Sequence, residues 1–227
     1  SPVQVGVLTN WSKISYGYST AISIKTDNTL WAWGLNDRGQ LGVGNTITYS
    51  SPVQVGADAT WATVSSGYKQ TLAIKTNGTL WSWGNNAFGQ LGLNDTNSRS
   101  SPVQVGALTT WLNVASGYAQ VVATKTDGTL WSWGRNDAGQ LAQNDIVNRS
   151  SPVQVGALTT WSKVGTDASD SFFIKTDGTL WVCGDNNNGQ LGLNDLIRRS
   201  SPVQVGANTN WSTPISGYGT QFVVLTT

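Results

Sequence analysis

Few side chains in this chain can do chemistry, and their scarcity narrows its function. Histidine is absent, which removes the commonest general base and the commonest metal ligand. The one cysteine, Cys183, excludes an internal disulfide and a cysteine-based metal cluster. The closest approach to a chemical grouping is Gly165-Thr166-Asp167-Ala168-Ser169-Asp170, where two carboxylates fall within four positions. Carboxylate oxygens suit Ca²⁺, but no segment reaches the ligand density of a calcium loop. Asp27, Asp127 and Asp177 read as turn residues that bond their own backbone, and Asp95, Asp145 and Asp195 sit in Asn-Asp loops. Serine and threonine are plentiful, yet only a lysine or a carboxylate could serve as their base. A carboxylate pair for glycoside hydrolysis stays open, because separation in space is not legible in sequence. Glycines such as Gly34, Gly39 and Gly42 lack the following helix and lysine that a phosphate loop needs. This inventory points to no enzyme, no cofactor and no bound metal.

Composition excludes further classes. The 227 residues carry 13 Lys+Arg against 12 Asp+Glu, a net charge of +1, and only 11% are charged. No basic stripe is available to neutralise nucleic-acid phosphates. No apolar run approaches the ~18 residues of a membrane span, and no secretory segment precedes the first repeat. Methionine is absent even at position 1, so the chain reads as a processed product or a part of something longer.

The elements that must position these residues follow from a repeat. SPVQVG recurs at Ser1, Ser51, Ser101, Ser151 and Ser201, a period of 50 residues without slippage. Each unit holds four strand signals, for example 52–55, 61–65, 71–75 and 79–83. The last two are joined by Asn77-Gly78, or by Asp-Gly at 127–128 and 177–178, the strongest short hairpin signal. In the first unit Asp27-Asn28 takes that place, Asn being the usual substitute for Gly at positive φ. No stretch has capped helical periodicity. Four short strands in tandem units predict an all-β propeller of four-stranded antiparallel blades. The stretch 1–227 reads as one domain with repeats 1–50, 51–100, 101–150, 151–200 and a partial 201–227. Five blades are expected, the last incomplete; an open arc and pairing with another chain are the alternatives. A β-solenoid is the other architecture the repeat allows.

Residues 65–95, SSGYKQTLAIKTNGTLWSWGNNAFGQLGLND, resemble the repeat of the regulator of chromosome condensation family, and the likeness extends along the chain. The resemblance implies a β-propeller, commonly of seven blades, and the SPVQVGA-x-T-x-W linkage is similar to bacterial and phage versions. The family's Gly-x-x-His-Thr pattern is not kept: its His position is Thr20, Gln70, Gln120, Asp170 and Thr220 here. No motif matches the guanine-nucleotide exchange surface of the nuclear member, so no exchange residue is carried over.

Comparison among the repeats separates scaffold from surface. Trp31/Trp33, Trp81/Trp83 and Trp131/Trp133 recur at fixed places and read as inter-blade core rather than a sugar-stacking or light-sensing platform. Cys183 stands where the second Trp falls in the other units and reads as a smaller buried residue. Gln40, Gln90, Gln140 and Gln190 read as satisfying backbone groups in turns. Two segments vary most: 35–38 and 46–49, with their counterparts. Loops on a rigid scaffold carry binding residues, and Arg and aromatics dominate hot spots. The binding candidates are therefore Arg38, Tyr49, Phe88, Arg135, Arg149, Asp167, Asp170, Arg198 and Arg199. The expected function is a non-catalytic propeller presenting loops to another protein or surface macromolecule, glycan included, alone or assembled with further copies or chains. The resemblance to phage and bacterial versions points to an extracellular or virion-surface structural or adhesion component. A regulatory or inhibitor-like protein-binding propeller and a glycan-binding lectin are the alternatives.

Overall fold

The computed structural model describes residues 10–215 and 223–226; the first SPVQVG at 1–6, the fifth Ser-Gly-Tyr at 216–218 and Thr220 lie outside the described residues. The first blade has the order β1 (Trp11–Tyr16), β2 (Thr20–Lys25), β3 (Leu30–Gly34), β4 (Tyr49–Gln54). The second is β5 (Trp61–Ser66), β6 (Gln70–Lys75), β7 (Leu80–Gly84), β8 (Arg99–Gln104). The third is β9 (Trp111–Ser116), β10 (Gln120–Lys125), β11 (Leu130–Gly134), β12 (Arg149–Gln154). The fourth is β13 (Trp161–Thr166), β14 (Asp170–Lys175), β15 (Leu180–Gly184), β16 (Arg199–Gln204), and β17 (Trp211–Ile215) with β18 (Val223–Thr226) begins a fifth. All pairings are antiparallel.

Turn chemistry sets the hairpins. Asn28 sits at φ 63°, and Gly78, Gly128 and Gly178 at 76–77°, in the left-handed region that the Asn-Gly and Asp-Gly pairs anticipate. Asp27 Oδ1 accepts from the Thr29 amide at 3.0 Å and hydroxyl at 2.6 Å, and Thr29 Oγ1 in turn accepts from Trp31 Nε1 at 2.9 Å. Asn77, Asp127 and Asp177 repeat this chain. The hydrogen bonds from Thr29 hold the Asp27 carboxyl below its ordinary range.

Blade and sequence repeat are out of phase. The SPVQ strand pairs with the Leu-Trp strand of the preceding repeat, as in Trp31↔Gln54 and Ala32↔Val53. A blade therefore runs from one Trp strand to the next SPVQ, residues 11–54 in the first case. This places Pro52 and its counterparts on the outermost strand, where a missing N–H costs no ladder bond.

β1, β5, β9 and β13 lie side by side as the inner strands. The middle strands are the most deeply buried; β2 and β10 are buried at every position. Blades are also tied by hydrogen bonds. The Ser66 amide donates to Ser15 Oγ at 2.9 Å, and Trp83 Nε1 of blade two donates to Gln40 O of blade one at 2.9 Å. Trp133 Nε1 repeats the latter bond with Gln90 O at 3.0 Å. The expected four full repeats and a partial one thus appear, among the described residues, as four complete blades and two strands of a fifth. Ring closure at five is absent among the described residues. Ile14 on β1 is 68% exposed, whereas Val114, its counterpart in blade three, is 8% exposed against blade two. Among the described residues, blade one has no neighbour on that face.

Candidate binding face

Because strands alternate in direction, the β1–β2 turn and the long β3–β4 loop of every blade open on one end of the propeller, and the Asp-Gly hairpins lie at the other. All nine candidate residues fall at the first end. The structure then divides them by what they touch.

The long loop is held rigid from inside. Asn136 is fully buried; its Nδ2 donates to Asp145 O and Oδ1 at 3.0 and 2.9 Å, and its Oδ1 accepts from the Leu141 amide at 2.9 Å. Asn36, Asn86 and Asn186 do the same, so the second residue of the variable tetrapeptide is scaffold. Gln40, Gln90, Gln140 and Gln190 accept from the amide two positions earlier, as expected of turn-satisfying residues. Arg149 and Arg199 clasp Asp145 and Asp195 at 2.5 Å and reach the carbonyls of Val147 and Ile197. Arg99 does this in blade two with Asp95. In blade one Tyr49 takes the position, its hydroxyl accepting from Asn45 Nδ2 at 3.1 Å. Tyr49, Arg149 and Arg199 therefore brace the loop.

Arg38, Phe88, Arg135 and Arg198 are at the surface. Arg38 is exposed. The Arg135 guanidinium lies 5.5 Å from the Phe88 ring of blade two and 5.4 Å from Tyr118, and also pairs with Asp137. Tyr118 stacks on Tyr68, which packs on Tyr18, each with centroids 4.7 Å apart. The ladder ends at blade four, where Ala168 takes the tyrosine position. Arg198 Nε pairs with Asp185 at 2.8 Å.

Selection by residue type missed the tips of the long loops. Ile47, Ile146, Val147, Leu196 and Ile197 are all more than half exposed, Ile146 at 66% and Ile197 at 64%. Their segment varies between repeats; the overlooked signal is its paired aliphatic residues, next to the Asp–Arg clasp.

Asp167 and Asp170 are not surface groups: both are almost fully buried, at 1% and 2% exposure. The surrounding departures compensate one another. A Cβ on Gly165 would overlap the Phe172 ring directly opposite it, so the glycine admits the larger residue. Cys183 is buried in the same cluster as Phe173, where blades two and three combine Trp with Ala73 and Ala123. Phe173 lies 5.6 Å from Trp161 and occupies volume that the missing Trp leaves. Burial pushes the Cys183 thiol far up, so it stays protonated. Among the described residues no three carboxylate or cysteine groups converge as a metal site.

The regulator of chromosome condensation (RCC1) repeat profile matches residues 27–74, 77–124, 127–166 and 177–220, and a second profile of the same repeat matches 11–40 and 61–90. No curated protein sequence matches the chain significantly. Human WBSCR16 superposes at a TM-score of 0.87 with 20% identity, over 99% of this chain and 60% of its own. Prp20p of Saccharomyces cerevisiae, described with its binding to Gsp1p and histones, superposes at 0.80 with 19% identity, over 91% of this chain and 53% of its own. The same yeast protein bound to Kap60 gives 0.80 and 20%, over 95% of this chain and 53% of its own. This chain therefore spans little more than half the length of these structures, and the likeness carries the fold. With the repeat profile matched across four successive blades, the chain belongs to the regulator of chromosome condensation repeat family.

Proposed function

We propose that this chain is a non-catalytic propeller scaffold that recognises another protein through the end bearing the long loops. The observation that carries this reading is the set of exposed aliphatic tips at Ile47, Ile146–Val147 and Leu196–Ile197, held on loops braced by buried Asn and by Asp–Arg clasps. Exposed apolar groups on pre-ordered loops lose little entropy on binding and gain area. Phe88, Arg135 and Arg198 supply the aromatic and guanidinium groups common at interface centres. Prp20p, a structural relative, is described as binding Gsp1p and histones, which supports a protein partner. Against catalysis, the cleft of about 320 Å³ along the inner strands is lined mainly by Ser and Gly, and its one acidic residue, Asp167, is almost fully buried.

The glycan reading has one feature behind it. Grooves between blades of about 490, 380 and 330 Å³ expose part of Trp81, Trp131 and Trp181. Lysine ammonium groups already occupy those rings, Lys125 at 3.4 Å from the Trp131 centroid, so the platform is taken. A regulatory role and a virion or cell-surface adhesion role differ only in the partner. The weakly charged sequence and the likeness of its linkage to phage and bacterial repeats favour the surface role.

The test is a combined Ile146→Ser, Val147→Ser, Leu196→Ser, Ile197→Ser variant against a partner isolated on the wild-type chain and then purified. Affinity falls at least about tenfold, equivalent to about 1.4 kcal/mol, while Asp127→Asn at the opposite end binds normally. Equal affinities for both variants, or saturable binding of a glycan at the Trp grooves instead, would overturn the protein-face reading.

A further inference from the structure

The start of the second strand is a bolt between blades. Gln70 Nε2 donates to Ser116 Oγ and Gly117 O of the next blade, each at 3.0 Å, and Gln70 Oε1 accepts from the Lys69 amide. Gln120 repeats this with Asp167 O at 2.7 Å and the Ala119 amide at 3.2 Å. In blade four the position holds Asp170, whose side chain is one methylene shorter and, when ionised, has no proton to donate. It is 2% exposed, and its Oδ1 has no hydrogen-bond partner.

We propose that Asp170 is a pH-operated weak point in blade four: neutral, it sits in the buried edge as a hydrogen-bonding carboxylic acid, and ionised, it loosens the blade beneath Asp185 and Arg198. The proposal rests on the binding-face reading only in placing Arg198 on that face. The groups that face Asp170 are mostly of its own sign. Asp167 comes from the β13–β14 turn and Asp185 from the segment after β15. Cys183 on β15 is a neutral thiol. Arg198 is engaged by Asp185. Gln190 and the Asp185 amide offer hydrogen bonds to the carboxyl, and Gln120 of blade three donates to Asp170 O at 3.3 Å. On the other side, the described strand that packs on β14 is β17, Trp-Ser-Thr-Pro-Ile, which carries no charged side chain.

Desolvation, then repulsion from Asp185 and Asp167, raises the Asp170 pKa from 3.8 to about 7. The folded state thus holds a proton that the unfolded chain has released, and stability declines as pH rises between these values. The surface carboxylates are shifted the other way, as at Asp95 and Asp145, and there is no histidine. The interval from about pH 5 to about pH 7 therefore reports the buried carboxylate cluster that holds Asp170, and Asp170→Asn assigns the decline to that residue.

Urea unfolding of the full chain across that interval is the test. The wild-type unfolding constant rises up to about tenfold per pH unit, and Asp170→Asn stays level to within about threefold over the same range. A level wild-type profile, or an Asp170→Asn profile parallel to the wild type, overturns the proposal. Should Asp170→Asn not fold, Asp185→Asn decides: losing that charge moves the decline to lower pH, and an unmoved decline counts against the proposal. No partner enters these measurements, so the binding-face reading stands or falls separately.

Discussion

At the residue scale, blade four shows how one strand position answers another. Its neighbours fill the inter-blade space with a small residue on the second strand and Trp on the third: Ala73 with Trp83, Ala123 with Trp133. Blade four inverts the sizes, with Phe173 and Cys183 in one buried cluster. Truncating Phe173 leaves a cavity that a thiol cannot fill, so Phe173→Ala costs about 3–5 kcal/mol. Cys183→Trp alone overpacks against Phe173 and costs about 1–3 kcal/mol. The double variant recreates the arrangement of blades two and three and brings an indole N–H to Gln140 O, which Cys183 Sγ now approaches at 3.5 Å. It should recover at least half of the Phe173→Ala loss, and denaturant unfolding of the four proteins in the cycle measures that coupling. Strictly additive losses would show that the two side chains do not share one space.

At the element scale, the β3–β4 loop separates buried from exposed polar bonds. Asn136 makes its hydrogen bonds out of water, and Asn136→Ala strands the Leu141 amide and the Asp145 carbonyl, at about 1–3 kcal/mol for each group left buried without a partner. Arg149→Ala breaks a partly exposed ion pair and costs under about 1 kcal/mol. Hydrogen exchange over 141–149 should accelerate strongly in the first variant and slightly in the second; the reverse order would make the clasp the true brace. Much of this element was legible in sequence. The strands were, because Asn-Gly and Asp-Gly turns act locally and the period repeats the signal. The clasp was legible too, since Arg99, Arg149 and Arg199 each follow an Asp by four places, while Tyr49 follows Asn45. Choosing Arg149 and Arg199 by residue type overlooked that pairing and passed over the aliphatic tips between. Burial of Asp167 and Asp170 was not legible, because it depends on packing across two blades.

At the scale of the whole molecule, the phase of the blades was equally out of reach, since the SPVQ strand finds its partner in the preceding repeat through non-local pairing. That phase has a consequence for how stability is distributed. In a stacked repeat each blade is stabilised by its neighbours, so a blade covered on one face is the weaker one. Among the described residues blade one is in that position: Ile14 and Tyr16 on β1 are 68% and 70% exposed, while Val114 and Ser116, at the same places on β9, are buried. Local opening should follow this gradient, because opening free energy depends on the apolar area covering each strand. Native-state hydrogen exchange on the full chain should find β1 amides at least about tenfold less protected than those of β9, with β2 between them because both its faces are buried. The comparison must be repeated over a range of protein concentrations. Equal protection that disappears on dilution would mean that another copy covers the Ile14 face in solution. Equal protection at every concentration would contradict nearest-neighbour stabilisation, and blade one would then owe its stability to its own sheet.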